Sequence, residues 1–217
     1  MDFSTIDLKL FATLFLLLLI GIGPKIALVP FLEKTRGATP EVQREVGRRM
    51  VITAVIAALV VFMVGGLLLK MLHITSGAVA VAGAIILAHI AVRMALGPGE
   101  EVVKEAHMVP KDLTKMAVYP LAVPYLFNPV GITVVIIASD SAEGIVATLM
   151  VLGLILLVGA LDYLLFSNID KIAKRINPTS LVVSEIVFGI LLTAVAVQLL
   201  LFGLRSLGVL APGVAGH

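Results

Sequence analysis

The stretch Met116–Asp140, MAVYPLAVPYLFNPVGITVVIIASD, constrains the fold more than any other part of the chain. It is apolar enough to cross a bilayer, yet Pro120, Pro124, the pair Asn128-Pro129 and Gly131 all fall inside it. A helix in hydrocarbon must satisfy its own backbone, because no water is there to replace a lost hydrogen bond. Proline lacks the N–H and clashes with the preceding turn, so the stretch predicts a helix kinked or broken at mid-depth. Such a break is tolerated only where the freed groups face protein or a water-filled cavity. The same device occurs 105 residues earlier, where Gly21-Ile22-Gly23-Pro24-Lys25 interrupts another apolar run. Two Gly/Pro-interrupted crossings at matching places in two halves point to the binding site of a transporter.

The remaining sequence agrees with a membrane chain. Of its 217 residues, 60% are hydrophobic and 14% charged, against about a quarter charged in a soluble domain. Runs of the roughly 20 residues that a crossing needs are Leu8–Leu32, Met50–Leu72, Gly77–Leu96, Met116–Ala138, Gly144–Phe166 and Leu181–Leu204. The longest connections are Glu33–Arg49 and Gly97–Lys115. The first run follows Asp2 and Asp7, with Lys9 as the only base, and lacks the basic opening of a secretory signal; it is expected to stay as the first span. The predicted fold class is an all-α membrane protein of six transmembrane helices.

Lys and Arg are enriched in short cytoplasmic loops. Lys34, Arg36, Arg44, Arg48 and Arg49 lie between spans one and two, and Arg93, Lys104, Lys111 and Lys115 lie around the connection from three to four. Lys171, Lys174 and Arg175 lie between five and six, while the other side has only Lys9, Lys70 and Arg205. Both termini are therefore expected outside, in a multi-pass protein of the cell's inner (plasma) membrane. Gly23-Pro24 pairs with Asn128-Pro129, and Ala91-Val92-Arg93 with Ala196-Val197-Gln198, each at a separation of 105. Three spans per half make the second half inverted. The expected organisation is one transmembrane domain, 1–217: a first three-helix repeat at 1–97, a cytoplasmic linker at 98–115, and an inverted repeat at 116–217. In this 3+3 arrangement the broken helices, one and four, meet near the midplane.

The breaks have readable chemistry. Asn128 is a strong N-cap and Pro129 suits the first helical position; Gly23 and Pro24 fit the same roles less well. Each break would start a half-helix with free N–H groups and its positive dipole end inside the membrane. Two such ends suit an anionic group such as a carboxylate. The bland alternative is a pair of ordinary kinks. Lys25 follows the first break directly, and an intramembrane charge is a functional hypothesis by default; against that, its long stem could snorkel. The candidate substrate-binding residues are Gly23, Pro24, Lys25, Asn128, Pro129, Gly131 and Thr133. His89, inside span three, is a candidate proton relay, with a hydrogen bond to a neighbouring helix as the plainer role. Gln198 is read as bonding between helices, and Arg93 and Glu185 as anchors near cytoplasmic ends. Asp162, near the end of span five, is read as solvated or paired with a loop base.

Other chemistry finds little support. There is no Cys, hence no disulfide or thiolate site. Neither GxxxxGK[ST], HExxH nor GxSxG occurs, which argues against nucleotide-driven pumping, zinc proteolysis and serine hydrolysis. The net charge of +2 does not suggest nucleic acid as a partner. No enzyme activity, cofactor or metal is expected.

The segments AVAGAIILAHIAVRMAL in span three, VYPLAVPYLFNPVG in span four and VSEIVFGILLTAVAVQLLLFGL in span six resemble the corresponding helices of the MarC family of six-span membrane proteins. The resemblance extends over the whole chain. It implies similarity to the amino-acid-exporter superfamily and to carriers of small neutral amino acids. That family's pattern has Asn-Pro in the first break and Gly-Pro-Gly in the second; here the first reads Gly23-Pro24-Lys25 and the second Asn128-Pro129-Val130-Gly131, as though exchanged, and Lys25 departs from the pattern. The expected function is a secondary transporter of a small polar metabolite, foremost a small neutral amino acid, by alternating access, with H+ or Na+ as an optional coupling ion. Lipid surrounds the chain, and a homo-oligomer is left open. The alternatives are an exporter of another anionic or drug-like solute, and a non-transporting membrane scaffold.

Overall fold

In the computed structural model, which describes residues 8–96, 113–169, 171 and 178–211, the chain is helical and no strand occurs among the described residues. The expectations resting on Asp2, Asp7, Lys104, Lys111, Lys174 and Arg175 lie outside the described residues, as do the side chains of Lys9 and Glu185.

The first apolar run forms α1 (Leu8–Gly21) and α2 (Pro24–Lys34), separated by Ile22 and Gly23. α3 (Pro40–Leu72) and α4 (Ser76–Ala95) follow. The proline-rich stretch begins as α5 (Leu113–Met116) and runs on through a wide-turn segment, Ala117–Leu126, before α6 (Pro129–Ser141). α7 (Gly144–Ser167) and α8 (Pro178–Ser206) complete the bundle. Among the described residues, five helical stretches are long and apolar enough to cross a membrane by themselves, and the pair Thr114–Leu126 and Pro129–Ser141, bent by 70°, is together long and apolar enough for a sixth. This pair traverses the bundle: Ala117–Leu126 lies beside α2, whereas α6 lies beside α1 and reaches Gly65 and Gly66, near the far end of α3.

The expected spans match these elements to within a few residues, with one correction. The connection expected over Glu33–Arg49 is short, because α3 begins at Pro40. Thr39 is the N-cap, Pro40 occupies the first turn and Glu41 adds a first-turn acid, all helix-start signals that the charge of the segment disguised. At 33 residues α3 is about 50 Å long, against a hydrocarbon core of about 30 Å. Its charged first turns, with Glu45 and Arg49 paired at 2.6 Å, therefore project beyond the apolar layer.

Prolines shape the fourth crossing as the sequence demands. Pro120 and Pro124 each follow an extended residue, Tyr119 (φ −136°, ψ 128°) and Val123 (φ −132°, ψ 123°), through cis peptide bonds. The N–H of Phe127 reaches back five residues to the carbonyl of Ala122. One side of the segment packs inside the protein, with Ala117, Leu121, Ala122 and Leu126 buried, while Val118 and Tyr119 are exposed.

Small residues set the close approaches that hold the bundle. α3 and α7 run antiparallel, with Gly47 against Phe166 and Gly159 against Val55; Phe166 also meets Phe31 edge-on at 5.1 Å. α4 and α8 run antiparallel along their whole lengths, Gly77 meeting Gly203 and Ser206 at one end and Gly189 meeting Ala95 at the other. Ser139 of α6 accepts from the N–H of Gly66 and donates to the carbonyl of Phe62, so one hydroxyl bridges a residue pair that an undisturbed helix would hydrogen-bond directly. The α4–α8 pair docks on the rest mainly through α6, where Thr133 fills the notch left by Gly83.

Candidate functional site

The two interrupted crossings meet at their breaks. The N–H of Asn128 donates to the carbonyl of Gly21 at 2.9 Å, and its side-chain Nδ2 donates to the carbonyl of Ile20 at 2.7 Å. These carbonyls end α1 and have no helical partner ahead of them, because the chain turns out at Ile22 and resumes at Pro24. The Asn128 Oδ1 accepts from the N–H groups of Val130 at 2.9 Å and Gly131 at 3.2 Å. One asparagine thus caps the start of α6 and satisfies the end of α1. It is 1% exposed.

Glycine permits the contact. A Cβ at Gly21 would fall on the backbone of Gly131, and a Cβ at Gly131 on the carbonyl of Gly21. Pro129, half-buried, removes the one first-turn N–H that Asn128 does not serve. The first-turn donors of α6 therefore have partners within the protein.

The first break is different. Gly23 caps α2 without a side-chain bond and Pro24 follows it; a Cβ at Gly23 would strike the carbonyl of Leu19. Lys25 is the second residue of α2. Helical side chains lean towards the N-terminus, so Lys25 reaches back across the break. It enters a cavity of about 430 Å³ between this break and α8, lined by Ile20, Lys25, Ile26, Phe188, Leu191, Leu192, Ala194, Val195 and Gln198. The Lys25 Nζ stands 4.9 Å from the centre of the Phe188 ring, a cation–π contact. Phe188, Leu191, Leu192, Val195 and Gln198 form one stripe of α8 at helical spacing. A second depression, about 570 Å³ on the outer α3–α7 face, is lined by residues such as Val55, Ile56, Leu156 and Leu164 and by no charged group. Its one polar side chain is Tyr163, and the rest of the lining is apolar.

The structure separates the expected site residues. Gly23, Pro24 and Lys25 are at the first break beside the cavity, while Asn128, Pro129 and Gly131 form the interlock that closes the crossing. Thr133 is 4% exposed and seated against Gly83, away from the cavity lining. His89 lies on the exposed face of α4 with Ile85, Ile86 and Val92. Gln198, read as an interhelical bond, lines the cavity instead. Phe188 was not singled out in the sequence, although its place on one stripe with Gln198 was the available signal.

Asp162 corrects the sequence reading. It is 1% exposed, and among the described residues its Oδ2 has no hydrogen-bond partner, so it is buried rather than solvated and is paired with no described base. It lies between Gly159 and Phe166 on the α7 face that packs against α3. Among the described residues no group of three or more metal-ligating side chains occurs.

Residues 8–207 match the family described as MarC family integral membrane protein. A UPF0056 membrane protein of Pyrococcus abyssi is 26% identical over 92% of this chain and 96% of its own length. One from Methanocaldococcus jannaschii is 27% identical over 92% of this chain and 98% of its own. The UPF0056 membrane protein YvbG of Bacillus subtilis is 30% identical over 87% of this chain and 92% of its own. No solved structure matches the chain.

Proposed function

The chain belongs to the MarC family of integral membrane proteins, and on that footing we propose that it is a secondary carrier of a small carboxylate-bearing metabolite. Small neutral amino acids are the first cargo class to test. The observation that carries this reading is the meeting of two interrupted crossings at Gly21 and Gly131, beside a cavity into which Lys25 projects. Breaking two helices inside a membrane is costly, and discontinuous helices at mid-depth are the usual site of cargo in carriers. A scaffold has no use for a cation held in such a cavity.

The packing supports alternating access. The α4–α8 pair is one body and the remaining helices another, joined mainly at α6. The cavity lies in the seam, with Lys25 and Ile26 on one body and the α8 stripe on the other. Rocking of the pair about the Gly83–Thr133 contact would widen the seam towards one membrane face and narrow it towards the other. The antiparallel pairs α3–α7 and α4–α8, with the crossing of the two broken spans, agree with an inverted 3+3 repeat. We place both termini outside the plasma membrane, following the basic residues.

A second reading, an exporter of another anionic solute, gains from the apolar cavity wall. Counterflow in proteoliposomes tests the carrier reading: saturable uptake of a labelled small carboxylate, whether 4-methylpentanoate or an amino acid such as leucine, accelerated by the same cargo inside, is expected. Flux that never saturates would mark a channel, and no flux of any amino or organic acid by folded protein would refute transport.

A further inference from the structure

We infer that the cavity between the first break and α8 binds a monocarboxylate with an apolar body, and disfavours the same molecule carrying an α-amino group. The inference names the cargo class of the carrier proposed above, and only its transport role rests on that reading.

Lys25 is the charged residue of the lining, and Gln198 is its one neutral polar side chain. The other seven lining residues are apolar. The ring face of Phe188 attracts the ammonium without neutralising it, and among the described residues no carboxylate is paired with Lys25. The positive end of α2 lies beside the same group, since Lys25 is in its first turn. A guest carboxylate there gains a charge-assisted hydrogen bond beside an apolar wall. Its hydrocarbon then lies along Leu192 and Val195. Phe188 and Gln198 are ten residues apart on α8, or about 15 Å, so Gln198 stands at the far end and does not compete for the carboxylate.

An α-ammonium changes the balance. It sits beside its own carboxylate and is therefore carried towards Lys25 and the helix end, both positive. Like charges at such range repel, the more so beside an apolar wall. A volume of about 430 Å³ falls within the range of small-molecule sites, roughly 300–1,000 Å³.

The test uses three matched probes on the purified protein: 4-methylpentanoate, leucine (the same skeleton with an α-amino group) and isopentylamine (the amine without the acid). Binding is read by calorimetry and by the rise in melting temperature that any ligand of the folded state must cause. The expected order is 4-methylpentanoate tighter than leucine by at least about tenfold, with no binding of isopentylamine. Lys25→Gln should abolish 4-methylpentanoate binding without loss of folding, since Lys25 is exposed in the cavity mouth. Gln198→Leu should retain it. Dodecanoate distinguishes the source of the acid: tighter binding than 4-methylpentanoate would identify a fatty acid from the bilayer, and weaker binding a soluble acid, the carboxylate class standing in both cases. Leucine binding as tightly as 4-methylpentanoate, leucine binding that Glu185→Gln removes, or no binding of any probe would overturn the inference. Leucine counterflow with no preference for the acid would sink this cargo class and leave the carrier standing. Acid binding without saturable flux would sink the carrier and leave the ligand class standing.

Discussion

Asn128→Ala tests whether the two breaks form one structural unit. The substitution removes two bonds that cap α6, to Val130 and Gly131, and the bond to the Ile20 carbonyl that ends α1. Loss of an N-cap costs typically about 1 kcal/mol. An interhelical hydrogen bond inside a membrane bundle contributes on average about 0.6 kcal/mol and at most about 1.7. Because Asn128 is 1% exposed, the abandoned N–H and C=O groups stay away from water, which favours the upper end of both ranges. The expected loss is about 2–3 kcal/mol. Asn128→Ser separates the two contributions: its hydroxyl can still cap α6 but cannot reach Ile20, so about 1 kcal/mol should be lost. Reversible unfolding in mixed micelles titrated with sodium dodecyl sulfate, followed by circular dichroism, gives both values. If Asn128→Ala stays within about 0.5 kcal/mol of the parent, or if Ser costs as much as Ala, the asparagine does not join the two crossings and the reasoning fails.

Further expectations concern single contacts. Gly131→Ala places a methyl group on the backbone of Gly21, where neither partner can yield; it should cost at least about 3 kcal/mol and most of the monodisperse yield in size-exclusion chromatography. Gly153→Ala, with open space around its Cβ, should leave the yield unchanged. Asp162→Val removes a buried oxygen that has no partner and should raise stability by about 1 kcal/mol; a loss in the same micelle titration would reveal a partner that Asp162 depends on. Arg49 donates to Glu45 on the projecting turn of α3 and holds that carboxyl below its ordinary value. A depressed carboxylate stabilises the fold above its unfolded pKa and loses that contribution as pH falls through the folded one. Carbon-13 NMR should place the Glu45 midpoint below 4.5, the ordinary value for a glutamate, and Arg49→Gln or high salt should raise it.

The crossings were legible because hydrocarbon imposes a length and a polarity on each, and the breaks because proline and glycine act locally at Gly23-Pro24 and Asn128-Pro129. Pairing was less legible than either. The sequence marks Asn128 as the cap of its own helix, which it is; nothing local says that its Nδ2 serves a carbonyl 108 positions earlier. That bond exists because Gly21 and Gly131 bring two backbones together, a tertiary fact carried by two hydrogen atoms. The consequence for the site is asymmetric. The second break uses its first-turn donors within the protein, whereas the first break, capped by a glycine with no side chain to offer, places Lys25 in the lining of a cavity. Two breaks that look equivalent in the sequence thus differ in the structure, one locking the crossing and one bordering the cavity. Asp162 was misplaced for a related reason: its position four residues before Phe166 suggests the edge of the membrane, but burial is decided by α3, whose Gly47 and Val55 close over that face of α7. Depth along a helix can be counted from sequence; the direction in which a residue faces depends on which neighbour is small enough to come close.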